Sequence, residues 1–480
     1  MDTTVAQVID QITAVSPANV LLLAGFVILG LGLIPSSISG EAQRNLWGVL
    51  ALVSLGVAAI FAVMQEASPS ASANALFVAD WVSERGVWLS LLGGLLIVLV
   101  GWEQIAPSRA ADYYACLLLL LAGLAYTAAA NDLTSLFLSL ELVSLPTTVL
   151  LGITRSDDSG REATLKYFTL AAFASGFFLL GCSYLYGVAG STALPTIQAS
   201  LVQNWTPLGM VAVTLALLGL CFRVTAVPFH FYAPDVFSGA SLPMAAGLSF
   251  IPKVAGFLAM VRVLGGVQLI GDFPPMIAWV ILIIAAITMT IGNCAALVQH
   301  SLRRLMAYSS VAHSGYLLLG LVAIMSVGGH VAPIFDYLAA YAVMTIGVFA
   351  VITAIKPTGP AIEDVTLFDG LYQRAPWSAV ALGIALLSLT GIPLTAGFWA
   401  KLQIFLTTLS AHSTPVLVVA AIMAINATIA AVYYLSLFGR LFQRPSSGTP
   451  TANDSVHLTW SASLAAFLCS ALTVIWFFIP

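Results

Sequence analysis

The sequence predicts an all-α polytopic membrane protein of about fourteen transmembrane helices. Three observations carry this expectation. Apolar residues make up 60% of the 480 positions and charged residues only 8%. Mean hydropathy is +1.02. The apolar runs continue from residue 19 to residue 479 with no polar block long enough to fold by itself. A soluble domain carries roughly 25% charged residues, so the chain reads as one membrane domain over 1–480.

A helix needs about 20 apolar residues to cross the hydrocarbon layer. That rule places spans near 19–36, 46–64, 86–104, 112–129, 131–153, 164–188 and 206–232. Seven more follow near 240–265, 274–297, 302–325, 332–355, 376–408, 414–440 and 458–479. The amino-terminal stretch has two aspartates and no Lys or Arg before Arg44, so it lacks the basic region of a cleavable signal peptide and the first run is expected to remain as a helix.

Basic residues in the loops test the count independently, because cytoplasmic loops are enriched in Lys and Arg. Loops after odd-numbered spans hold Arg44, Arg109, Arg155, Arg161, Arg303, Arg304, Lys356, Arg374, Arg440 and Arg444, whereas the opposite side has only Arg85 and Arg262. A miscounted span in the middle would scramble this bias. It therefore supports an even number of spans with both termini on the non-cytoplasmic side.

The seventh and twelfth spans are too long for one straight crossing, and each contains a proline: CFRVTAVPFHFYAP around Pro228 and SLTGIPLTAGFWAKL around Pro393. Proline removes a helix donor. Isolated membrane prolines are common, but these two lie within a few residues of an intramembrane base, Arg223 before the first and Lys401 after the second. Interrupted helices at matching places in two halves point to an ion path lined by irregular backbone. The expected organisation is an N-terminal three-helix segment (1–111), a first five-helix repeat (112–265), a second of inverted topology (273–440) and a last helix within 441–480.

Several function classes are excluded or left without support. The net charge of −4 is too small and too dispersed to predict a nucleic-acid partner. Cys116, Cys182, Cys221, Cys294 and Cys469 show no CxxC or Cys/His spacing for zinc or an iron–sulfur cluster and read as packing residues, so no metal site is expected. No nucleotide-binding glycine motif occurs, so redox cofactors are expected elsewhere than on this chain. The Ser and His residues form no triad pattern, and no hydrolytic chemistry is assigned.

The informative residues are the charges inside the spans. Glu141, in NDLTSLFLSLELVSLP, lies nine residues past Asp132, roughly 14 Å deep at the helical rise. Thr134, Ser144 and Thr148 share its face. Lys253 is ten residues beyond Pro243, about 15 Å down. His313 has similar depth, with Ser309, Ser310 and Ser314 nearby. Lys166 lies nearer the cytoplasmic end, where a snorkelling side chain would also account for it. The depth of Lys401 is unreadable because of the break. His230, in VPFHFYAPD, reads as a helix-end hydrogen-bonding residue, and Asp235 as lining the same turn.

A charge at the bilayer centre costs about 2.5–3.5 kcal/mol on an insertion scale. Static ion pairs fixing helix register are the bland explanation, but buried pairs stabilise little and one glutamate cannot neutralise three lysines and an arginine. The surplus of bases implies that some lysines spend time without a proton, and such a lysine is a carrier. Glu141 approaching or leaving it would alternately hold and expel that proton.

At these residues the chain resembles the antiporter-like membrane subunits of proton-translocating NADH:quinone oxidoreductase (respiratory complex I), a family that includes the Mrp cation/proton antiporters. The resemblance runs over about residues 110–410 through NDLTSLFLSLELVSLP, LKYFTLAAFASGFFLLGCSYLYGVAGST, VPFHFYAPDVFSGAS, PKVAGF, RRLMAYSSVAHSGYLLLGL and LTGIPLTAGFWAKLQIF. The KYF…YLYG…GST segment is similar to the N branch. The resemblance implies a proton-channel glutamate at Glu141, lysines at Lys166 and Lys253, a central relay at His313 and an outlet-side lysine at Lys401. Where the family usually has lysine this chain has Arg223, which keeps its proton and so is expected to act as a permanent cation tuning its neighbours. The resemblance further implies other membrane and hydrophilic subunits as partners, with flavin, iron–sulfur clusters, NADH and quinone on those subunits, and an energy-transducing membrane, the bacterial inner membrane. Rival readings are an Mrp-type antiporter or membrane hydrogenase subunit, separable by co-purifying cofactors, and a structural membrane scaffold, separable by whether Glu141→Gln and Lys401→Met leave pumping intact.

Overall fold

A computed structural model describes residues 11–34, 40–65, 75–203, 205–265, 275–355, 364–443 and 458–478. The helices, in chain order, are α1 (Ser16–Gly32), α2 (Glu41–Met64), α3 (Trp81–Gly101), α4 (Ala110–Ala129), α5 (Leu133–Thr154), α6 (Asp158–Ala189), α7 (Leu194–Gln203), α8 (Pro207–Arg223) and α9 (Ala233–Gly239). They continue as α10 (Leu242–Leu264), α11 (Pro275–Leu297), α12 (Leu302–Val327), α13 (Ala332–Ala354), α14 (Leu371–Arg374), α15 (Pro376–Thr390), α16 (Ala396–Ser410), α17 (Thr414–Arg440) and α18 (Trp460–Phe478). Only isolated bridges, and no strand, occur among the described residues. The all-α membrane fold expected from the sequence is the one observed.

Among the described residues, eleven helices are long and apolar enough to cross a bilayer. The other three expected spans fall on shorter apolar helices, α1, α8 and α15. Two of these are short because they stop at a break: α8 ends at Arg223 and α15 at Thr390. Both expected interruptions are therefore present. α6, at 32 residues, exceeds the length needed to cross, and α7 was not foreseen as a helix.

Polar side chains at the helix starts explain where the elements begin. Asp132 accepts the Thr134 amide at 2.7 Å, Asp157 the Gly160 amide at 3.1 Å and Thr206 the Gly209 amide at 3.1 Å. Each satisfies a donor that the first helical turn leaves open. Of the loop bases, Arg155 pairs with Asp157 at 2.8 Å, Arg304 with Asp235 at 3.3 Å and Arg440 with Asp369 at 3.1 Å. Lys356 and Arg444 lie outside the described residues.

The chain forms two compact units. The first comprises residues 1–98, 105–224 and 251–277, and the second residues 99–104, 225–250 and 278–480. The N-terminal helices belong to the first unit, and one division falls at the first helix break, between residues 224 and 225. In the first unit α6 and α8 are in intimate contact: a Cβ added at Gly219 would lie 2.6 Å from the Phe178 amide nitrogen. Small residues allow such close approach where no hydrophobic driving force separates helix from lipid.

The five cysteines are free thiols. Four are buried as packing residues, whereas Cys294 is exposed.

Candidate functional site

Charged and polar groups converge separately in each unit. In the first, α5 starts at its Asp132 cap and carries Glu141 to mid-helix. Arg223, the last residue of α8, reaches across to it. Its Nη2 donates to Glu141 Oε1 at 3.0 Å, while Nη1 donates to the Leu140 carbonyl at 2.8 Å and to Ser144 Oγ at 2.5 Å. Ser175 Oγ of α6 donates to the same Glu141 Oε1 at 2.6 Å. The guanidinium side chain is 7% exposed and the carboxylate 25%, so the cation is the better shielded partner.

Helix ending makes this possible. A cation is favoured at a helix C-terminus, where carbonyls lack intrahelical partners. Two residues on, Thr225 adopts a left-handed backbone, φ 56°, which ends the helical direction. Val224 and Arg223 then meet α10 at Gly256: a Cβ there would lie 2.6 Å from Val224 Cγ1 and 3.1 Å from Arg223 Cβ. Lys253, 1% exposed, is three residues before Gly256 and shares its helix face, so α10 presents Lys253 on the side that meets this break.

Lys166 is placed differently. It sits in the early turns of α6, 37% exposed, with Nζ 2.7 Å from Glu162 Oε1 in an i,i+4 pair. Ser175, which touches Glu141, is nine residues further along the same helix, roughly 13 Å by the helical rise. The structure thus joins Glu141 and Arg223 directly, whereas Lys166 is paired with Glu162 of its own helix.

In the second unit His313 of α12 is 1% exposed. Its Nδ1 lies 2.7 Å from Tyr337 Oη of α13, and its Nε2 3.4 Å from Tyr434 Oη of α17. Tyr434 in turn hydrogen-bonds Ser309. Around the ring stand Tyr341 and Tyr316, with centroids at 5.0 and 5.7 Å. Tyr316 Oη accepts from Asn293 Nδ2 at 2.8 Å, and Asn293 also contacts Asn426 Oδ1 at 3.1 Å and Tyr433 Oη at 3.1 Å. Two hydrogen-bonded sets, one around His313 and one around Asn293, meet through ring contacts of His313 with Tyr316 at 5.7 Å and of Tyr433 with Tyr434 at 4.3 Å, across α11, α12, α13 and α17.

Lys401 lies at the second break. Its Nζ donates to the Leu389 carbonyl at 2.6 Å and the Thr390 carbonyl at 3.0 Å, the last residues of α15. It also stands 5.8 Å above the Tyr316 ring, a cation–π distance that connects it to the His313 cluster. Gly391, φ 90°, and Leu394, φ 73°, turn the chain between the half-helices. Thr395 then caps α16, and Gly397 N donates to Ser388 Oγ at 3.0 Å. A Cβ at Gly397 would fall 2.0 Å from the Ser388 carbonyl, so only glycine fits.

Sequence reasoning missed Tyr316, Tyr337, Tyr341, Tyr434, Asn293 and Asn426. The asparagines had a usable signal, being amides inside apolar runs, TIGNCAAL and MAINATIA. The tyrosines had none, since an apolar run tolerates Tyr as packing. His230 lies in the first break, where its carbonyl accepts the Ala233 amide at 3.1 Å. Asp235 pairs with Arg304.

Comparison with known proteins places this architecture. The family model described as NADH:quinone oxidoreductase/Mrp antiporter, transmembrane, matches residues 130–430. NADH-quinone oxidoreductase subunit N of Bacillus anthracis is 34% identical, covering 98% of this chain and 95% of its own length. The same subunit of Geobacillus kaustophilus is 36% identical, covering 96% and 93%. A chain of respiratory complex I from Thermus thermophilus with bound aureothin superimposes with a TM-score of 0.80 at 29% identity, covering 97% of each chain. The Mrp complex of Dietzia, at 21% identity and a TM-score of 0.78 over 98% of this chain and 94% of its own, shares the fold. With the family match running from before Glu141 to beyond Lys401 and full-length relatives above 30% identity, the chain belongs to the NADH:quinone oxidoreductase/Mrp antiporter family of membrane subunits.

Proposed function

We propose that this chain is the N-type membrane subunit of an NADH:quinone oxidoreductase and translocates protons along its intramembrane Glu, Lys and His residues. The observation that carries this reading is Lys401, buried at a broken helix, held by two helix-terminal carbonyls and stacked on the tyrosine that borders the His313 cluster. A lysine so placed has acceptors whether or not it carries its full complement of protons, and the hydroxyl and imidazole groups beside it are proton donors and acceptors. Arg223 does not deprotonate. It serves as a fixed counter-charge to Glu141, so proton exchange in the first unit falls to Glu141 and Lys253, with Lys166, paired to Glu162 on α6, as an entry group.

Electron transfer is assigned to partner subunits that carry flavin, iron–sulfur clusters and the NADH and quinone sites. The membrane is the bacterial inner membrane, with both termini on the non-cytoplasmic side. Work against the membrane potential is about 2.3 kcal/mol per charge at 100 mV.

A second reading has one observation in its favour. The Arg223–Glu141 pair, closed by Ser144 and Ser175, has the form of a static register-fixing contact, as in a structural subunit. Proton pumping by the assembled complex carrying Glu141→Gln or Lys401→Met decides between them, with subunit content measured in the same preparation. Loss of pumping supports the proposal, and full pumping removes it. Sodium-dependent proton exchange by a complex without redox cofactors would instead assign the chain to an antiporter.

A further inference from the structure

The half-helix that carries Lys401 is attached to a carboxylate that the mechanism above leaves unused. Asp336 is the fifth residue of α13, inside a helix buried along its whole apolar window. Gln403 of α16 bridges to it. In the amide orientation that satisfies both neighbours, its nitrogen donates to Asp336 Oδ2 at 3.1 Å and its oxygen accepts Trp399 Nε1 at 2.8 Å. Trp399 and Gln403 are four residues apart on α16, so one face of the half-helix is dedicated to holding this carboxylate.

Position along the helices gives the contact its meaning. Asp336 is about 6 Å from the start of α13, and Lys401 about 14 Å from the end of α16. Gln403 lies one half-turn from Lys401 towards that end. The carboxylate is thus on the surface side of Lys401, and it is half-buried where Lys401 is buried. The next residue on α13 is Tyr337, whose hydroxyl holds His313 Nδ1. Consecutive residues of one helix therefore contact the relay cluster and the half-helix of Lys401. An aspartate within an apolar helix is costly to retain and marks an ion pathway more often than packing.

We propose that Asp336, gripped by Gln403, is the carboxylate that takes up the proton leaving Lys401 for the membrane surface where α13 begins. The step is a proton transfer without electron transfer. The N–H bond of the ammonium breaks, an O–H bond forms on Asp336 through intervening water, and the carboxylic acid then releases the proton to the aqueous phase. This assignment rests on the proton-translocating reading of Lys401, and its test separates the two.

The experiment measures protons pumped per NADH oxidised by the intact complex in proteoliposomes for Asp336→Asn, Asp336→Glu and Lys401→Met, with subunit content checked for each. Asp336→Asn keeps an acceptor for Gln403 but cannot take up a proton, and is expected to lower pumping at least fivefold. Asp336→Glu is expected to restore it to within about twofold of the parent. Normal pumping by assembled Asp336→Asn, with Lys401→Met defective, overturns this inference alone. Normal pumping by Lys401→Met overturns the underlying reading. Should Asp336→Asn fail to assemble, Gln403→Leu, which keeps the carboxylate and removes its hold, is expected to slow pumping, and unchanged pumping there counts equally against the proposal.

Discussion

Arg223 Nη2 stands 3.0 Å from Glu141 Oε1, and the same guanidinium spans a full turn of α5 from the Leu140 carbonyl to Ser144. A lysine could supply the charge but not this fork. Arg223→Ala would leave a carboxylate in the membrane interior with no counter-ion, a change that costs about 3–5 kcal/mol at buried pairs. It is expected to reduce the amount of assembled complex, read from subunit content after detergent extraction. Arg223→Lys preserves the charge and is expected to assemble, with pumping within about twofold of the parent.

The second break makes a sharper steric prediction. Gly397 approaches the Ser388 carbonyl so closely that any Cβ must displace one half-helix. Gly397→Ala is expected to move Lys401 away from the Leu389 and Thr390 carbonyls, at an overpacking cost of about 1–3 kcal/mol. Pumping should fall by an order of magnitude or more while the complex still assembles. Gly391→Ala tests the same turn from its other side, because Gly391 has φ 90°, a region that L side chains rarely adopt. Normal pumping in both variants would show that the carbonyl cradle of Lys401 is dispensable.

Much of this arrangement was legible in the sequence, and the reasons differ by residue. Apolar length located the helices, and the prolines located both breaks, because a missing donor and an overlong run are one-dimensional signals. The positions of Glu141 and His313 along their helices were readable because each lies at a countable distance from a helix start. Lys401 was not, since its depth depends on how Gly391 and Leu394 redirect the chain. The pairing of Lys166 with Glu162 follows from their i,i+4 spacing, a local signal that the sequence carries. Tyr337 and Tyr434 meet His313 from helices distant in sequence, and no spacing rule reports that.

That cluster gives the third prediction. His313 has a phenol at each ring nitrogen, so a substitution that preserves packing but removes one hydroxyl interrupts the chain at a known point. Tyr434→Phe removes the partner of Nε2 and of Ser309, and Tyr337→Phe the partner of Nδ1. Each is worth about 0.5–1.5 kcal/mol in net hydrogen bonding, too little to unfold a helix bundle. Both variants are expected to assemble. Tyr337→Phe should slow pumping more, because its contact with the imidazole is the shorter, at 2.7 Å. Equal, undiminished pumping in the two would show that His313 transfers protons by another route.

The last prediction concerns stability against acid. Asp80, in the connection before α3, accepts both arms of Arg262 at 2.7 Å, and Arg262 Nε also donates to the Ala128 carbonyl at 2.7 Å. Burial alone would oppose ionisation of Asp80, but the Arg262 fork and the Ser83 hydrogen bonds outweigh it and hold its pKa below the ordinary carboxylate value. A carboxyl group with a folded-state pKa below its unfolded value of about 3.9 contributes stability that is fully present above that value. The contribution is lost as pH falls through the folded pKa. The melting-temperature difference between the parent complex and Asp80→Asn should therefore be constant from neutral pH down to about 5 and shrink below about 4. The carboxylate side chain is 37% exposed, so added salt should also narrow the difference at neutral pH. A difference that grows on acidification would mean that Asp80 is held by its neutral form and that the clamp on Arg262 is not electrostatic.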